Sequence, residues 1–370
     1  MSDLLDLLTA TGALDPSWRD AFAVTPREEY LPDTVWQIDR SNDSRLTPLH
    51  RDVEPDRWLA LARADTAVET QVDDGHPADD GTGWEVTSSS SQPTVVAQML
   101  TALDVQPGMR VLEIGTGTGW NAALLAHRVG AENVVTVEID PAVAAHARAA
   151  LDRGGLGKVT TIVGDGTDGW LEAAPYDRVI ATAGARDIPY TWIAQTAPGG
   201  RVVVPLLGTY KSPGVLTLTV DDAGIATGRV GERAAFMGLR SQRTARVRSG
   251  PSRSPDVTGT TDLHPYLWVG NRDAATAIGL RLGDGVHAYY VAETDDAGTA
   301  WLRGPDTGSW AWVELAPEVV PYECAQGGPR RLLDEVTAAY QWWLDAGSPP
   351  VTAWQWTVDP HGQRVELEPA

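Results

Sequence analysis

The chain has 370 residues, 42% of them apolar, and a formal net charge of -21 with a pI of about 4.6. This length and composition predict a globular protein with more than one domain. The negative charge disfavours binding to the phosphate backbone of DNA or RNA, and no apolar run is long enough to predict a membrane-spanning helix.

Cysteine content and the amino terminus indicate the compartment. Cys324 is the single cysteine, which excludes an intrachain disulfide framework and fits a reducing cytosol. The first residues are acidic and lack the basic segment of a signal peptide. We therefore expect a cytoplasmic protein.

Residues 1–91 are predicted to form helices followed by an inserted segment. Residues 4–10 have the pattern of a short amphipathic helix, and Asp15 is placed to cap a second one. The stretch 33–85 is irregular and rich in Asp and Gly, so we interpret it as a long insertion with a short helix at 56–63. Loops of this length are usually lids or substrate-binding loops.

Residues 92–245 alternate between strand and helix patterns. Strands are predicted at 111–114, 134–140, 160–166, 177–184 and 201–206, and helices at 94–103, 121–128, 141–153 and 188–196. Such alternation predicts an α/β fold with a doubly wound, mostly parallel sheet. The segments 215–220 and 225–230 are interpreted as a hairpin that closes the far edge of this sheet.

Residues 246–370 lose that alternation and carry short strands rich in tryptophan and tyrosine, a helix at 331–346 and a terminal hairpin. We interpret them as a separate α+β accessory domain that binds a peptide. Its tryptophans are expected mainly in the core, with the lining of a peptide groove as the alternative.

A glycine-rich turn follows the first of the predicted parallel strands. The sequence VLEIGTGTGW places Gly115, Thr116, Gly117 and Gly119 between this strand and the next helix. Glycines there permit positive φ angles and bring backbone amides close to a nucleotide-like ligand. Glu113 would repel a pyrophosphate but attract a sulfonium group, which favours S-adenosylmethionine over NAD or ATP.

Acidic residues end the next two predicted strands. Glu138, followed by Ile139, is placed to bind the ribose hydroxyls of a nucleoside at the sheet's switch point. Asp165 and Gly166 end the third strand and are placed to meet the adenine amino group. Together with the glycine turn, these residues predict a cofactor site.

The serine run TSSSSQP precedes a predicted helix. The hydroxyls and amides of Ser89, Ser90 and Ser91 could hold a carboxylate. The alternative is a flexible linker that ends in a helix cap. The sequence shows no metal-ligand spacing among its histidines, and no metal is expected.

Two charged segments have alternative interpretations. The basic segment 240–253 is interpreted as a solvated linker, with a dock for an acidic peptide as the alternative. The acidic surface, including residues 73–80, is interpreted as a solubility feature. Its alternative role is to steer a basic leader or core peptide.

Several segments together resemble the protein-L-isoaspartate O-methyltransferase family. They are AFAVTPREEYLP, SQPTVVAQML, PGMRVLEIGTGTGWNAALLA, VGDG, YDRVIATAGARDIP and PGGRVVVPL, in family order over roughly residues 15–240. The resemblance implies a Rossmann-like class I methyltransferase that uses S-adenosylmethionine. It also implies that Ser91 matches the family's active-site serine, and Ser89 the threonine of the same triplet, with Ser90 between them.

Departures from the family suggest a specialised substrate. The segment before the serines is rebuilt, the triplet is three serines, and about 120 residues follow the methyltransferase core. The chain resembles variants that methylate an aspartate of a ribosomally made peptide, such as a lanthipeptide or graspetide precursor, to give an aspartimide. Alternatives are repair of isoaspartyl proteins and a cofactor-binding scaffold without methyl transfer.

The expected partner is therefore a precursor or cyclised peptide that bears an aspartate, with no nucleic acid and no membrane. The oligomeric state is not predicted, and a monomer is compatible with the sequence. The acceptor carboxylate is already ionised at neutral pH, so no general base is expected. Catalysis would rest on alignment of the reactants, with Ser89, Ser90 and Ser91 holding the acceptor.

Overall fold

Helices and strands of three sheets build the chain in the computed structural model, which describes residues 2–39, 45–208, 210–243, 254–283, 285–292, 297–304, 306–316 and 319–368. The helices are α1 (Ser2–Ala10), α2 (Arg19–Val24), α3 (Pro55–Arg63), α4 (Pro93–Leu103), α5 (Trp120–Val129), α6 (Pro141–Arg153), α7 (Tyr190–Ala194), α8 (Arg272–Leu282) and α9 (Leu332–Asp345). The strands are β1 (Thr34–Asp39), β2 (Arg45–His50), β3 (Val68–Val72), β4 (Val86–Ser90), β5 (Val111–Ile114), β6 (Val134–Glu138), β7 (Thr160–Val163), β8 (Tyr176–Ala181), β9 (Thr196–Leu206), β10 (Gly214–Val220), β11 (Ala226–Val230), β12 (Val257–Thr261), β13 (His287–Ala292), β14 (Gly298–Gly304), β15 (Ser309–Leu315), β16 (Tyr322–Gly327), β17 (Trp354–Asp359) and β18 (Gly362–Leu367).

The main sheet has the strand order β18-β17-β11-β10-β9-β8-β5-β6-β7. Strands β9, β8, β5, β6 and β7 run parallel, and the remaining pairings are antiparallel. All four residues of β5 are buried, as expected for a central strand covered by helices on both faces. The prediction of a class I methyltransferase α/β fold is confirmed, with a larger antiparallel part than expected.

The terminal hairpin belongs to the main sheet. Strand β17 pairs with β11, so the hairpin of β10 and β11 does not close the far edge as predicted. The inward side chains of β17, Trp354, Trp356 and Val358, are buried in the same core as the parallel strands. Alternation of apolar and polar residues predicts a strand but not the strand it pairs with. The sequence therefore did not show that this hairpin joins the main sheet.

The described residues of the inserted segment form a small sheet with a helix, which corrects the expectation of an irregular stretch. Strands β2, β1, β3 and β4 form an antiparallel sheet in that order. Helix α3 packs against it and buries Trp58, which is 1% exposed, in a small separate core. The last strand of this sheet carries Ser89 and Ser90, and Ser91 follows it, so the sheet positions these serines.

The carboxyl-terminal unit contains a five-stranded antiparallel sheet of order β12-β16-β15-β14-β13 together with α8 and α9. Trp268 and Trp310 are buried in it, as expected for core residues. Its apolar core is continuous with that of the main sheet, so the accessory unit is packed onto the methyltransferase fold. Over the described ranges, no helix is both long and apolar enough to cross a bilayer.

Candidate functional site

A crevice of about 1080 Å³, including its open mouth, lies at the carboxyl ends of the parallel strands. Ligands bind at this edge in open α/β sheets. The structure brings most of the predicted site residues together in its lining: Ser89, Ser90, Ser91, Gly115, Thr116, Gly117, Glu138, Ile139, Asp165 and Gly166. Glu113 and Gly119 lie outside the lining.

The glycine turn brings bare backbone to the crevice wall. Gly115 has φ +92°, and a Cβ built there would lie 2.7 Å from Thr182 Oγ1. A side chain at this position therefore clashes, and the backbone stays accessible to a ligand. Gly119, with φ +85°, precedes α5 and packs against Ala147, so its role is to start the helix.

Glu138 holds the glycine turn from the end of β6. Its carboxylate accepts hydrogen bonds from the amide of Gly117 at 2.9 Å and from the amide of Asp140 at 3.1 Å. Burial raises the pKa of Glu138, and the two amides oppose that shift. The side chain is 8% exposed and lines the crevice, so it is placed to accept further hydrogen bonds from a ligand.

Glu113 does not face the crevice, contrary to its predicted role. It is fully buried, and its two oxygens accept hydrogen bonds from Asn121 Nδ2 at 2.7 Å and Thr136 Oγ1 at 2.6 Å. Its carboxylate is therefore occupied in fastening α5 to the sheet. Burial raises the pKa of Glu113 to about 7. Glu113 is therefore not placed to attract the sulfonium group of a cofactor in the crevice.

The pH dependence of stability tests this placement. The pKa of Glu113 lies near 7 in the folded chain and near its ordinary 4.5 in the unfolded chain, so the folded state retains the proton longer. Its stabilising contribution is full below 4.5 and is lost as pH rises through about 7. We expect the melting temperature of the native chain to fall relative to Glu113→Gln over this range. The exposed Glu172→Gln is the control, and a constant difference would refute the burial.

The serine segment separates the crevice from a neighbouring cleft. Ser89 and Ser91, with Phe236 and Met237, line both spaces. Ser90 Oγ is buried without a hydrogen-bond partner in the structure as described. An orphan hydroxyl at a crevice wall is expected to find its partner in a ligand.

Contacts of Arg27 and Asp65, which the sequence did not reveal, fix the serine segment and the start of α4. Arg27, 2% exposed, joins the end of α3 and the loop after it to the serine segment by donating to five backbone carbonyls; these are the carbonyls of Leu61, Ala62, Ala64, Thr66 and Ser91. Asp65 accepts from the amide of Thr94 at 2.8 Å and so caps α4. Burial lowers the pKa of Arg27 to about 10, which leaves it charged at neutral pH. The sequence signal for this role of Arg27 was its position in the family-like motif AFAVTPREEYLP.

Ion pairs cross the mouth of the crevice. Arg240 lies 3.3 Å from carboxylate oxygens of both Asp74 and Asp140, and Arg243 lies 2.8 Å from Asp74. The start of the basic segment is therefore a strap fastened to the insertion, which corrects its interpretation as a solvated linker. Its continuation, residues 244–253, lies outside the described residues.

Carboxylates of the acidic segment 73–80 are also engaged in contacts within the chain. Asp74 is paired with the strap, and Asp73 accepts from the amides of Trp84 and Glu85 at 2.9 Å. Asp80 accepts from Thr82. These carboxylates hold the insertion in place, so they do not support the alternative in which this segment steers a basic peptide.

The polar and apolar groups that line the crevice fit a nucleoside with a cationic or neutral tail. It offers carboxylates of Glu138 and Asp165, apolar walls including Ile139, and backbone amides of the glycine turn. Two carboxylates disfavour a bound phosphate and favour hydroxyl and amino groups. In the described part of the chain, no group of three or more His, Cys, Asp or Glu side chains is arranged to hold a metal.

The middle of the chain is similar to a known protein family. Residues 77–243 match the family model described as protein-L-isoaspartate(D-aspartate) O-methyltransferase. A Pyrococcus horikoshii protein with the name protein-L-isoaspartate O-methyltransferase is 45% identical over 120 residues, 32% of this chain and 54% of that protein. One from Anaeromyxobacter dehalogenans is 51% identical over 127 residues, 34% of this chain and 59% of that protein. The matches thus span little more than half of these relatives.

One solved structure resembles the whole chain. That protein is named protein-L-isoaspartate O-methyltransferase and is 22% identical; the likeness covers 100% of this chain and 99% of the other, with a TM-score of 0.56. At this identity the likeness concerns the fold alone, but it includes the carboxyl-terminal unit. That unit is therefore not an addition peculiar to this chain. The chain is similar to this family over residues 77–243, which is less than half of its length.

Proposed function

We propose that this protein methylates the free carboxylate of an isoaspartyl residue in a protein or peptide, with S-adenosylmethionine as the methyl donor. The observation that carries the proposal is the wall of Ser89 and Ser91 between the crevice and the second cleft. A cofactor on one side and a peptide on the other would meet there. The relatives named for this activity support the choice of substrate.

The cofactor would be held by residues already described. Glu138 would accept hydrogen bonds from the ribose hydroxyls, and Asp165 with Gly166 would meet the adenine. The amides of Gly115 and Gly117 would face the amino acid portion. When bound, S-adenosylmethionine supplies an electrophilic methyl group on a positively charged sulfur.

The acceptor side needs positioning and no proton transfer. A carboxylate of ordinary pKa is ionised at neutral pH, so no general base has to act on it. Ser89 and Ser91 would hold it by hydrogen bonds, with the unpartnered Ser90 hydroxyl beside them. Fixing the distance and direction of attack supplies the rate enhancement for such a reaction.

A second candidate is methylation of a normal aspartate in a ribosomally made peptide. The observation in its favour is that Ser89 and Ser90 end a strand of the inserted sheet and Ser91 follows it directly, so this sheet rebuilds the acceptor wall. The backbone nitrogen of the next residue would attack the resulting ester and expel methanol, giving an aspartimide that water can open to isoaspartate. The full-length likeness to the solved structure weakens the part of this argument that rested on the carboxyl-terminal unit.

A pair of peptides that differ only in an isoaspartyl or aspartyl residue distinguishes the candidates. We expect mass spectrometry to show a methyl ester on the isoaspartyl peptide. A methyl ester on the normal aspartate, followed by loss of methanol, would favour the second candidate. Cofactor binding with no methylated product from linear or cyclised peptides would indicate a scaffold and contradict both.

Ser91→Ala tests the acceptor role. Loss of one hydrogen bond to a charged acceptor costs about 2 kcal/mol, so methyl transfer should fall roughly thirtyfold. The affinity for S-adenosylmethionine, measured by calorimetry, should stay unchanged. Ser17→Ala, at an exposed site near α2, is the control. Equal loss of cofactor binding and transfer would refute the assignment.

A further inference from the structure

The cleft beside the serine wall is basic, although the chain as a whole has a net charge of -21. It has a volume of about 1810 Å³, including its open mouth. Lys211, Arg233 and Arg272 line it, with Glu69 as the acidic side chain of the lining. Lys211 is one of two lysines in the sequence. A concentration of cations in such a protein indicates an anionic ligand.

None of these three side chains forms an ion pair among the described residues. Lys211 is half-buried and, like Arg233, makes no side-chain hydrogen bond or ion pair within the described ranges. Arg272 donates its Nε to the carbonyl of Pro213 and one terminal nitrogen to the carbonyl of Gly231, both at 2.6 Å. Its other terminal nitrogen has no partner there. The guanidinium of Arg272 is thus fixed in place and keeps one terminal nitrogen available to donate to a ligand.

Burial and mutual repulsion disfavour the charged forms of the cations in this cleft. Burial lowers the pKa of Lys211. Burial and, after it, the neighbouring Arg233 charge lower the pKa of Arg272, and the charges of Asp273 and Glu232 partly oppose this shift. Burial also raises the pKa of Glu69, because its charge is poorly solvated. An entering carboxylate would relieve the repulsion between the arginines and stabilise the charged lysine.

We propose that Lys211, Arg233 and Arg272 bind the carboxylate of an acidic residue that flanks the methylated one, so that the protein prefers acidic peptides. This inference rests on the proposed function, because Ser89 and Ser91 must present the neighbouring residue to the cofactor. Both serines line the same cleft as the three cations. A peptide running from the serine wall into the cleft would therefore place a flanking side chain among them.

An acidic peptide suits the cleft better than a nucleic acid. A chain of net charge -21 repels a long phosphate backbone, whereas a short peptide places its few charges inside the cleft. The lining also contains Val95, Phe236 and Val269, which suit the apolar parts of a peptide. An RNA ligand is thus the alternative outcome of the test.

The test measures binding separately from methyl transfer. Two isoaspartyl peptides that differ by Glu or Gln beside the isoaspartyl residue are titrated calorimetrically into the full chain saturated with S-adenosylhomocysteine. We expect the Glu peptide to bind roughly tenfold more tightly, a preference that declines with salt. In the double variant Lys211→Met/Arg233→Gln, the preference should fall to roughly threefold, because Arg272 alone remains to bind the carboxylate. Arg272 is left intact because it supports the backbone of two segments.

Lys158→Met is the matched control, because Lys158 is exposed and lies 3.9 Å from Glu132, away from the cleft lining. It should keep the full preference. Equal affinity of the native chain for both peptides, or an undiminished preference in the double variant, would overturn the proposal. So would tighter binding of an RNA oligomer that depends on Lys211. A preference that persists while neither peptide is methylated would refute the proposed function and leave the cleft assignment standing.

Discussion

Replacing Glu138 with alanine is expected to weaken S-adenosylmethionine binding about a hundredfold. The carboxylate lines the crevice at the end of β6, and under the proposed function it would accept two hydrogen bonds from ribose hydroxyls. Two charge-assisted bonds of about 1.5 kcal/mol each account for an effect of this size. Loss of the contact with Gly117, now 2.9 Å long, would also loosen the glycine turn. Calorimetric titration with S-adenosylhomocysteine measures the change.

Two companion variants separate these effects. Glu138→Gln keeps an acceptor for the amide of Gly117 but loses the charge, so its affinity should lie between those of the native chain and Glu138→Ala. Glu172→Ala removes an exposed acid and should bind normally. An unchanged affinity in Glu138→Ala, with a native melting temperature, would show that the nucleoside does not lie against β6.

Arg27→Met is expected to lower the free energy of unfolding by about 4 kcal/mol. The substitution leaves several buried carbonyls without their donor, and each such group costs about 1–3 kcal/mol. Arg27 also lies over the ring of Trp120, 5.8 Å from its centroid, and Trp120 lines the crevice. Release of the carbonyl of Ser91 should therefore disorder the serine wall as well. Denaturant unfolding measures the loss.

Arg27→Lys and Arg19→Met complete this experiment. Lysine keeps the charge but lacks the planar guanidinium that reaches all the carbonyls. The stability of Arg27→Lys should therefore lie between those of the native chain and Arg27→Met. Arg19 is exposed and donates to Thr9, so its loss should cost little. A stability of Arg27→Met within about 1 kcal/mol of the native chain would contradict the role assigned to this residue.

The parallel part of the fold was predictable because its signals are local. Apolar strands, the proline at the start of α6 and the glycine turn after β5 each depend on neighbouring residues. Asp140, which accepts from the amides of Ala142 and Val143, shows the same local logic at a helix start. Strand ends in a parallel sheet meet at one edge, so Glu138 and Asp165 could be placed together from their positions alone.

The remaining features depend on contacts distant in sequence. Strand β17 pairs with β11 more than 120 residues earlier, and alternation of buried residues does not reveal such a partner. The direction in which Glu113 points depends on Asn121 and Thr136. The inserted sheet was hidden by its turns, where Asp73 and Asp74 adopt positive φ angles and interrupt the strand pattern. The cations of the second cleft come from three separate segments.

The most direct measurement is a crystal structure of the complex with S-adenosylhomocysteine and an isoaspartyl peptide. We expect the ribose hydroxyls at Glu138, the adenine near Asp165 and the cofactor sulfur facing the serine wall. The free carboxylate of the peptide should lie against Ser89 and Ser91 on the other side. A nucleoside bound elsewhere, or a peptide carboxylate remote from both serines, would contradict the account.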